Sequence, residues 1–387
     1  MAKLVLYLLT LLHADLYGPA YSAGTFGGTA RLYNHLESGF SAKRSHYHPE
    51  EKQRVRGYIR DFFSSLPECD AVLWEDEYVV EWGTDKHYDG VNFVYIIRGS
   101  ENGTDNDRFT MASAHYDSVR GSPGVNDDGS AMSALLESTR ALCSLQKCQR
   151  KKTTVIIAFD WEEQGLIGSE EFIDRLRTQG LLQTTKALDE QLEGVINMDT
   201  IMNWDDQDQS QTLPDGMNVL FPELYSEIKA DNFKGNFLFI CARQDDKKLA
   251  EKFVKVWNSL PQNDTMKVRL GVMPFSGLPS SLNKIEFEMY SHFMRSDHYN
   301  FWNYTGTSAS LDQGLKGLFL TDTAEFRGSM VQCYHKECDN LSSVTDDKLR
   351  FLDHITDTLA RFLVEHATDL PHAECVAPSG FYTRILD

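Results

Sequence analysis

The chain has 387 residues, 41% hydrophobic and 25% charged, which supplies enough apolar material for a sizeable core and is most simply organised as one large domain. Its formal charge of -19 argues against nucleic acid as a partner, because phosphates are bound by clustered Lys and Arg, and the densest cationic run, Lys147 to Lys152, reads as a solvated loop. No run approaches the roughly 18 uninterrupted apolar residues that cross a bilayer, so no membrane span is expected.

At the amino terminus Lys3 precedes an apolar stretch from Leu4 to Leu12, with small residues near Ala20 and Ser22. That layout predicts a signal peptide over residues 1–23, with the folded domain over 24–387; an apolar first strand or helix would account for the same stretch. Acceptor triplets for N-glycosylation at Asn102, Asn263, Asn303 and Asn340 agree with a secreted, extracellular protein, or one of a vacuolar or lysosomal lumen. Seven cysteines allow at most three disulfides. Cys143 with Cys148, and Cys333 with Cys338, are close enough in sequence to pair, while Cys69, Cys241 and Cys375 read equally well as buried free thiols.

In chain order, HPEEKQRVRGYIRDFFSSL sets Val55, Ile59, Phe62 and Phe63 at helical spacing, with Pro49 near the start of the helix. DAVLWEDEYVVEW and GVNFVYIIRG read as neighbouring antiparallel strands. An apolar strand, FTMASAHYDS, then leads into the glycine-rich loop GSPGVNDDGS and the helix AMSALLESTRALC. Strand TTVIIAFD, helix EEFIDRLRTQ and strand GVINMD continue the alternation. DKKLAEKFVKVWNSL is a further helix, and KVRLGVMPF and KGLFLTD are strands. A last helix carries Leu349, Leu352, Ile355, Leu359 and Leu363 on one face, and a tail follows from Asp369. The expected fold is α/β, a three-layer α/β/α sandwich whose mixed, mostly parallel sheet is buried on both faces. Ligands bind at the carboxyl ends of such strands, where three apolar runs here end in polar clusters: His115 and Asp117, Asp160 to Glu163, and Asp199.

Each cluster has an ordinary and a chemical reading. His115 could be a core histidine, or a metal ligand whose ring is oriented by Asp117. Asp127 or Asp128 could cap the following helix, or face the pocket from a loop opened by glycine. Glu162 and Glu163 could be an acidic helix start, or divide their labour, one binding metal while the other takes a proton from water. Asp199 could end a turn, and His335 lies beyond a late apolar strand. Histidine and oxygen donors suit zinc, and a carboxylate suits bridging a pair of ions.

From Phe109 to Leu341 the ordered set AHYDS, GVNDDGS, EEQGLIGS, NMD, RSDH and YHKECD resembles the zinc-dependent exopeptidase family of secreted bacterial and fungal dizinc aminopeptidases, which also contains glutamate carboxypeptidases and glutaminyl cyclases. The resemblance implies a single zinc exopeptidase domain with two zinc ions. His115 and Asp199 would hold one, Glu163 and His335 the other, and Asp127 would bridge them. It makes Glu162 the general base, Asp117 the support of His115, Tyr334 the donor to the oxyanion, and Arg295 part of the substrate site. His298 of RSDH is expected to lie behind the site. Asp128 has no assigned role, and the stretch between RSDH and YH is longer than in compact members.

The implied activity is removal of amino-terminal residues from peptides or proteins; the sequence leaves the oligomeric state open, with a monomer as the expectation. Phe301, Trp302 and Phe326 could shape the first side-chain pocket or simply pack in the core. A glutaminyl cyclase-like enzyme with one zinc is the alternative, which EEQGLIGS and NDDG disfavour. A non-catalytic binding ectodomain is the alternative from another class, and it predicts damage to a ligand set in which every position is filled.

Overall fold

The structure, a computed structural model, describes residues 28–66, 69–83, 86–145, 148–179, 182, 184, 186–261, 265–306 and 313–375. The expected signal peptide and Asn263 lie outside the described residues. Among the described residues eight strands form one sheet, in the order β1-β2-β4-β3-β5-β8-β6-β7. They are β1 (Ala71–Glu81), β2 (His87–Ile97), β3 (Phe109–His115), β4 (Thr154–Phe159), β5 (Leu192–Met198), β6 (Phe237–Arg243), β7 (Lys267–Met273) and β8 (Gly317–Thr321). The pairs β3 with β4, β3 with β5, β5 with β8 and β6 with β7 are parallel. Antiparallel pairing joins β1 to β2, β2 to β4 and β6 to β8. The sheet is therefore mixed, as expected, and β6 is a strand that the reading of the sequence passed over.

The central strands are apolar throughout because both of their faces are covered, and alternate side chains serve opposite layers. In β4, Ile156 and Ala158 pack into one cluster and Val155, Ile157 and Phe159 into another. Helices α1 (Thr29–Ser38), α2 (Pro49–Ser64), α3 (Gly129–Cys143), α6 (Lys247–Ser259) and α8 (Asp346–Thr368) supply the first cluster. Helix α4 (Ile167–Gln179) covers the opposite face, and α5 (Pro222–Ala230) extends that layer over β6 through Leu224 and Ile228; α7 (Lys284–Tyr290) follows nearby. The result is the expected α/β/α sandwich.

The cysteines pair as Cys69–Cys143, Cys148–Cys375 and Cys333–Cys338, and Cys241 is free and buried in β6. The second short-range pairing holds, whereas Cys143 and Cys148 do not pair with each other. Cys143 closes α3 and meets the turn after α2; Cys148 instead ties Cys375, in the short helix His372–Cys375, back onto the body of the protein. The segment after Asp369 is thus anchored up to Cys375. No helix among the described residues is long and apolar enough to cross a membrane.

Candidate metal centre

His115 is the last residue of β3 and pairs in register with Phe159, the last of β4, so the Asp160 to Glu163 turn emerges beside it. Asp199 follows β5 on the other side of β3, its N–H donated to Leu320 O of β8 at 3.0 Å. Asp127 and Asp128 open α3, and the Asp127–Asp128 peptide is cis. Their loop requires Gly124, at φ +67°, where an added Cβ would stand 2.2 Å from the Asp127 carbonyl oxygen. His335, at φ 61°, arrives from the turn beyond β8.

Two triads of donor atoms result: His115, Glu162 and Asp199, and Asp127, Glu163 and His335. Asp127 joins them, with Oδ1 3.3 Å from His115 Nε2 and Oδ2 3.2 Å from His335 Nε2. Glu163 Oε2 is 3.2 Å from His335 Nε2, Glu162 Oε2 is 3.9 Å and Asp199 Oδ1 is 4.0 Å from His115 Nε2. Donors bonded to a tetrahedral ion at 2.0–2.1 Å stand about 3.3 Å from one another, the spacing of the three shorter pairs. His115 is 1% exposed, and neither of its ring nitrogens makes a hydrogen bond. A buried imidazole without a hydrogen bond, ringed by carboxylates at the spacing of ligands, fits the donor set of a zinc ion.

The charges point the same way. Burial raises Glu162 well above the usual carboxylate range, against the pull of His115. Burial, then the charge of Asp127, pushes Glu163 up to about 7, and burial lifts Asp199 to about 6. Burial would lower His335, but hydrogen bonding to Asp127 and Glu163 outweighs it and raises the ring to about 10. So many carboxylates out of water bind protons or cations, and the centre is built for positive charge.

Side chains around the triads hold them in place. Asp117 Oδ1 lies 3.4 Å from His115 Nδ1, and its carboxylate accepts the N–H groups of Glu162 at 3.2 Å and Glu163 at 3.4 Å. Asp160 takes Lys52 at 2.6 Å and Arg56 at 2.7 Å, fixing the turn before the two glutamates. Asp339 accepts the N–H groups of Asn126 at 2.8 Å and Asp127 at 3.1 Å. Arg44, fully buried, donates to the carbonyls of Phe40, Ala42, Tyr116, Pro123 and Gly124. Asp128 bonds main-chain groups on both sides of the sheet's midline. Asp339 was within view as the last letter of YHKECD and Asp160 as the first acid after β4; Arg44 carried no comparable signal.

Tyr334 stacks on His335 with ring centroids 3.9 Å apart, and Arg295 lies over the Tyr334 ring at 5.5 Å. His298 is buried behind the site, stacked on Phe319, with Nε2 2.9 Å from Phe293 O. Phe301 and Trp302 are fully buried in the two clusters on the far face of the sheet and shape no pocket, because their helix turns them inward. Phe326 does line a pocket beside Arg295.

Residues 92–252 match the sequence model of Peptidase family M28. Aminopeptidase YwaD of Bacillus subtilis is 47% identical over 68 residues, 18% of this chain and 14% of that protein. The matched segments make up 14% to 31% of the lengths of the first three curated relatives. Among solved structures, the aminopeptidase from Aneurinibacillus sp. strain AM-1 superposes with a TM-score of 0.56 at 14% identity, covering 91% of this chain and 96% of that one. The glutaminyl cyclase of Porphyromonas gingivalis superposes with a TM-score of 0.55 at 14% identity, covering 88% and 99%. These two likenesses establish the fold and do not separate the two activities.

Proposed function

We propose that the chain, whose residues 92–252 match peptidase family M28, is a zinc-dependent aminopeptidase with two zinc ions, which removes amino-terminal residues from peptides. The observation that carries this reading is the position of Asp127, whose two oxygens face one histidine of each triad at 3.3 and 3.2 Å. A single-ion site has no use for a carboxylate shared in this way. His115 and Asp199 would hold one ion, Glu163 and His335 the other, with Asp127 between them.

Zinc held there would lower the pKa of water and polarise the scissile carbonyl. Glu162 is the general base: its carboxylate accepts the proton of the attacking water and returns it to the departing amine. Asp117 positions both the His115 ring and the main chain of Glu162. Tyr334 donates its hydroxyl to the oxyanion, its ring fixed between His335 and Arg295. Asp199 and Glu162 offer negative charge to the free amino group of the substrate. Residues 24–387 would form the catalytic domain. Three disulfides agree with folding in an oxidising, extracellular or lumenal compartment.

The test is metal analysis of the purified protein together with hydrolysis of leucyl and other aminoacyl reporters. Two zinc ions per chain with chelator-sensitive hydrolysis support the reading. One zinc with cyclisation of amino-terminal glutamine peptides replaces it with a cyclase, and absence of metal removes the enzymatic reading altogether.

A further inference from the structure

Arg295 and Glu325 form a side-by-side ion pair next to the metal ligands: one guanidinium nitrogen is 2.6 Å from Glu325 Oε2, and the other contacts Oε1. Both side chains are a little over one quarter exposed, at 28% and 29%. The guanidinium also faces two rings, Tyr334 at 5.5 Å and Phe326 at 6.0 Å, within the range in which a cation is held over an aromatic face. Behind it runs a narrow pocket lined by Leu213, Met217, Phe239, Phe293, Phe319 and Phe326, with Arg295 on its wall. Arg295 on this wall lies over Tyr334, which in turn stacks on His335, so the pocket neighbours the reacting centre.

An arginine with a free fork on the wall of an apolar pocket selects carboxylates, because its planar donors match both oxygens. Here the fork is filled from within the chain. We propose that Glu325 is a specificity-determining residue: by occupying Arg295 it makes the pocket electrically neutral, so that the pocket admits an uncharged apolar first side chain and repels an acidic one. An incoming aspartate or glutamate side chain would have to displace Glu325 or share one guanidinium with it, and the second negative charge is the repulsive element. The inference rests on the aminopeptidase reading for the name of the ligand, an amino-terminal residue, and on the Arg295–Glu325 geometry for its sign.

The experiment measures kcat/KM on leucyl and glutamyl reporters, and binding of free leucine and glutamate by calorimetry, for the zinc-loaded wild type, Glu325→Gln, and the double variant Arg295→Met with Glu325→Gln. Circular dichroism and zinc content verify that each variant is folded and loaded. Expected is a wild type that favours leucyl, a rise of about tenfold or more in the glutamyl-to-leucyl ratio in Glu325→Gln, carried mainly by KM, and loss of that gain in the double variant. An unchanged ratio in folded Glu325→Gln, or a gain that survives removal of Arg295, overturns the proposal. A wild type that hydrolyses neither reporter overturns the aminopeptidase reading; a switch from leucine to glutamate binding in Glu325→Gln would still support the pocket pair, and no switch would overturn it too.

Discussion

Asp128 Oδ2 accepts the main-chain N–H of His115 at 3.2 Å, and the other oxygen of the same carboxylate accepts the N–H of Thr200 at 3.1 Å. One buried side chain thus ties together the ends of β3 and β5, which carry the two proposed ligands of one ion, His115 and Asp199. An asparagine in its place has a single accepting oxygen and presents N–H groups to the second donor. Asp128→Asn is therefore expected to weaken binding of that ion by about tenfold or more, the usual size of effects on groups that orient ligands, while the ion of Glu163 and His335 is retained. Titration of the zinc-loaded protein with a chromophoric chelator reads the two affinities, and loss of both ions in equal measure would contradict the clamp.

Glu162 and Glu163 are adjacent, yet only Glu163 lies against His335, at 3.2 Å. Glu162→Gln keeps shape and removes the proton acceptor, so turnover should fall by about a hundredfold or more with both zinc ions in place. Because Glu162 stands in the same triad as His115 and Asp199, the alternative is that it is a ligand. Loss of one zinc in Glu162→Gln would establish that alternative, and retained turnover would exclude Glu162 as the base.

Asp127→Ala removes the only side chain, among the described residues, that pairs with both histidines of the two triads. Metal content and activity should be lost together, and inductively coupled plasma analysis of the purified variant decides it. Full retention of two zinc ions would show that the bridge is unnecessary.

The dependence of stability on pH has a defined sign. His298 is lowered to about 3 by burial, and His354 and His366 to about 4, also by burial first, against 6.5 when unfolded. Below 6.5 the unfolded chain takes up protons that the folded rings refuse, so stability contributed by these groups falls as pH drops from 6.5 towards 4. In the metal-free protein the raised carboxyls oppose this: Glu163 at about 7, against 4.5, binds a proton more tightly when folded and costs stability as pH rises through that window. Cations favour the ionised carboxylates and remove the opposition. Thermal unfolding should therefore show a steeper loss towards acid for the zinc-loaded protein than for the chelated one; the reverse order would refute this account.

Much of the centre was readable in the amino-acid sequence because several of its acids and histidines stand at or just beyond the end of an apolar strand, and strand ends on one edge of a parallel array converge. His115, Asp199 and the Glu162–Glu163 pair all obey that rule. Asp160 obeys it too, but the Lys52 and Arg56 that hold it stand on a helix much earlier in the chain. Arg44 does not: it acts through main-chain carbonyls, and nothing about a lone arginine in SAKRSH announces that it will be buried. β6 went unnoticed because FLFICAR ends in Arg243, whose charge reads as surface until Asp246 is seen to bind it at 2.8 Å in the interior. The pairing of Cys143 with Cys69 depends on where α3 ends in space, and closeness along the chain was a poor guide to it. Phe301 and Trp302 follow RSDH closely enough to suit either a pocket or the core, and their helical turn points them to the core.

Arg44 stitches the segment after α1 to the loop that delivers Asp127, through carbonyls of Phe40 and Ala42 on one side and of Tyr116, Pro123 and Gly124 on the other. The stretch matched by the M28 sequence model, residues 92–252, lacks this stitch, as it lacks His335 and the cations of Asp160. Excised as a fragment, it would keep most of the recognisable letters and lose the means of holding them at ligand spacing. The stretch matched by the M28 sequence model and the stretch that sets the donor atoms at ligand spacing are, in this chain, different lengths of polypeptide.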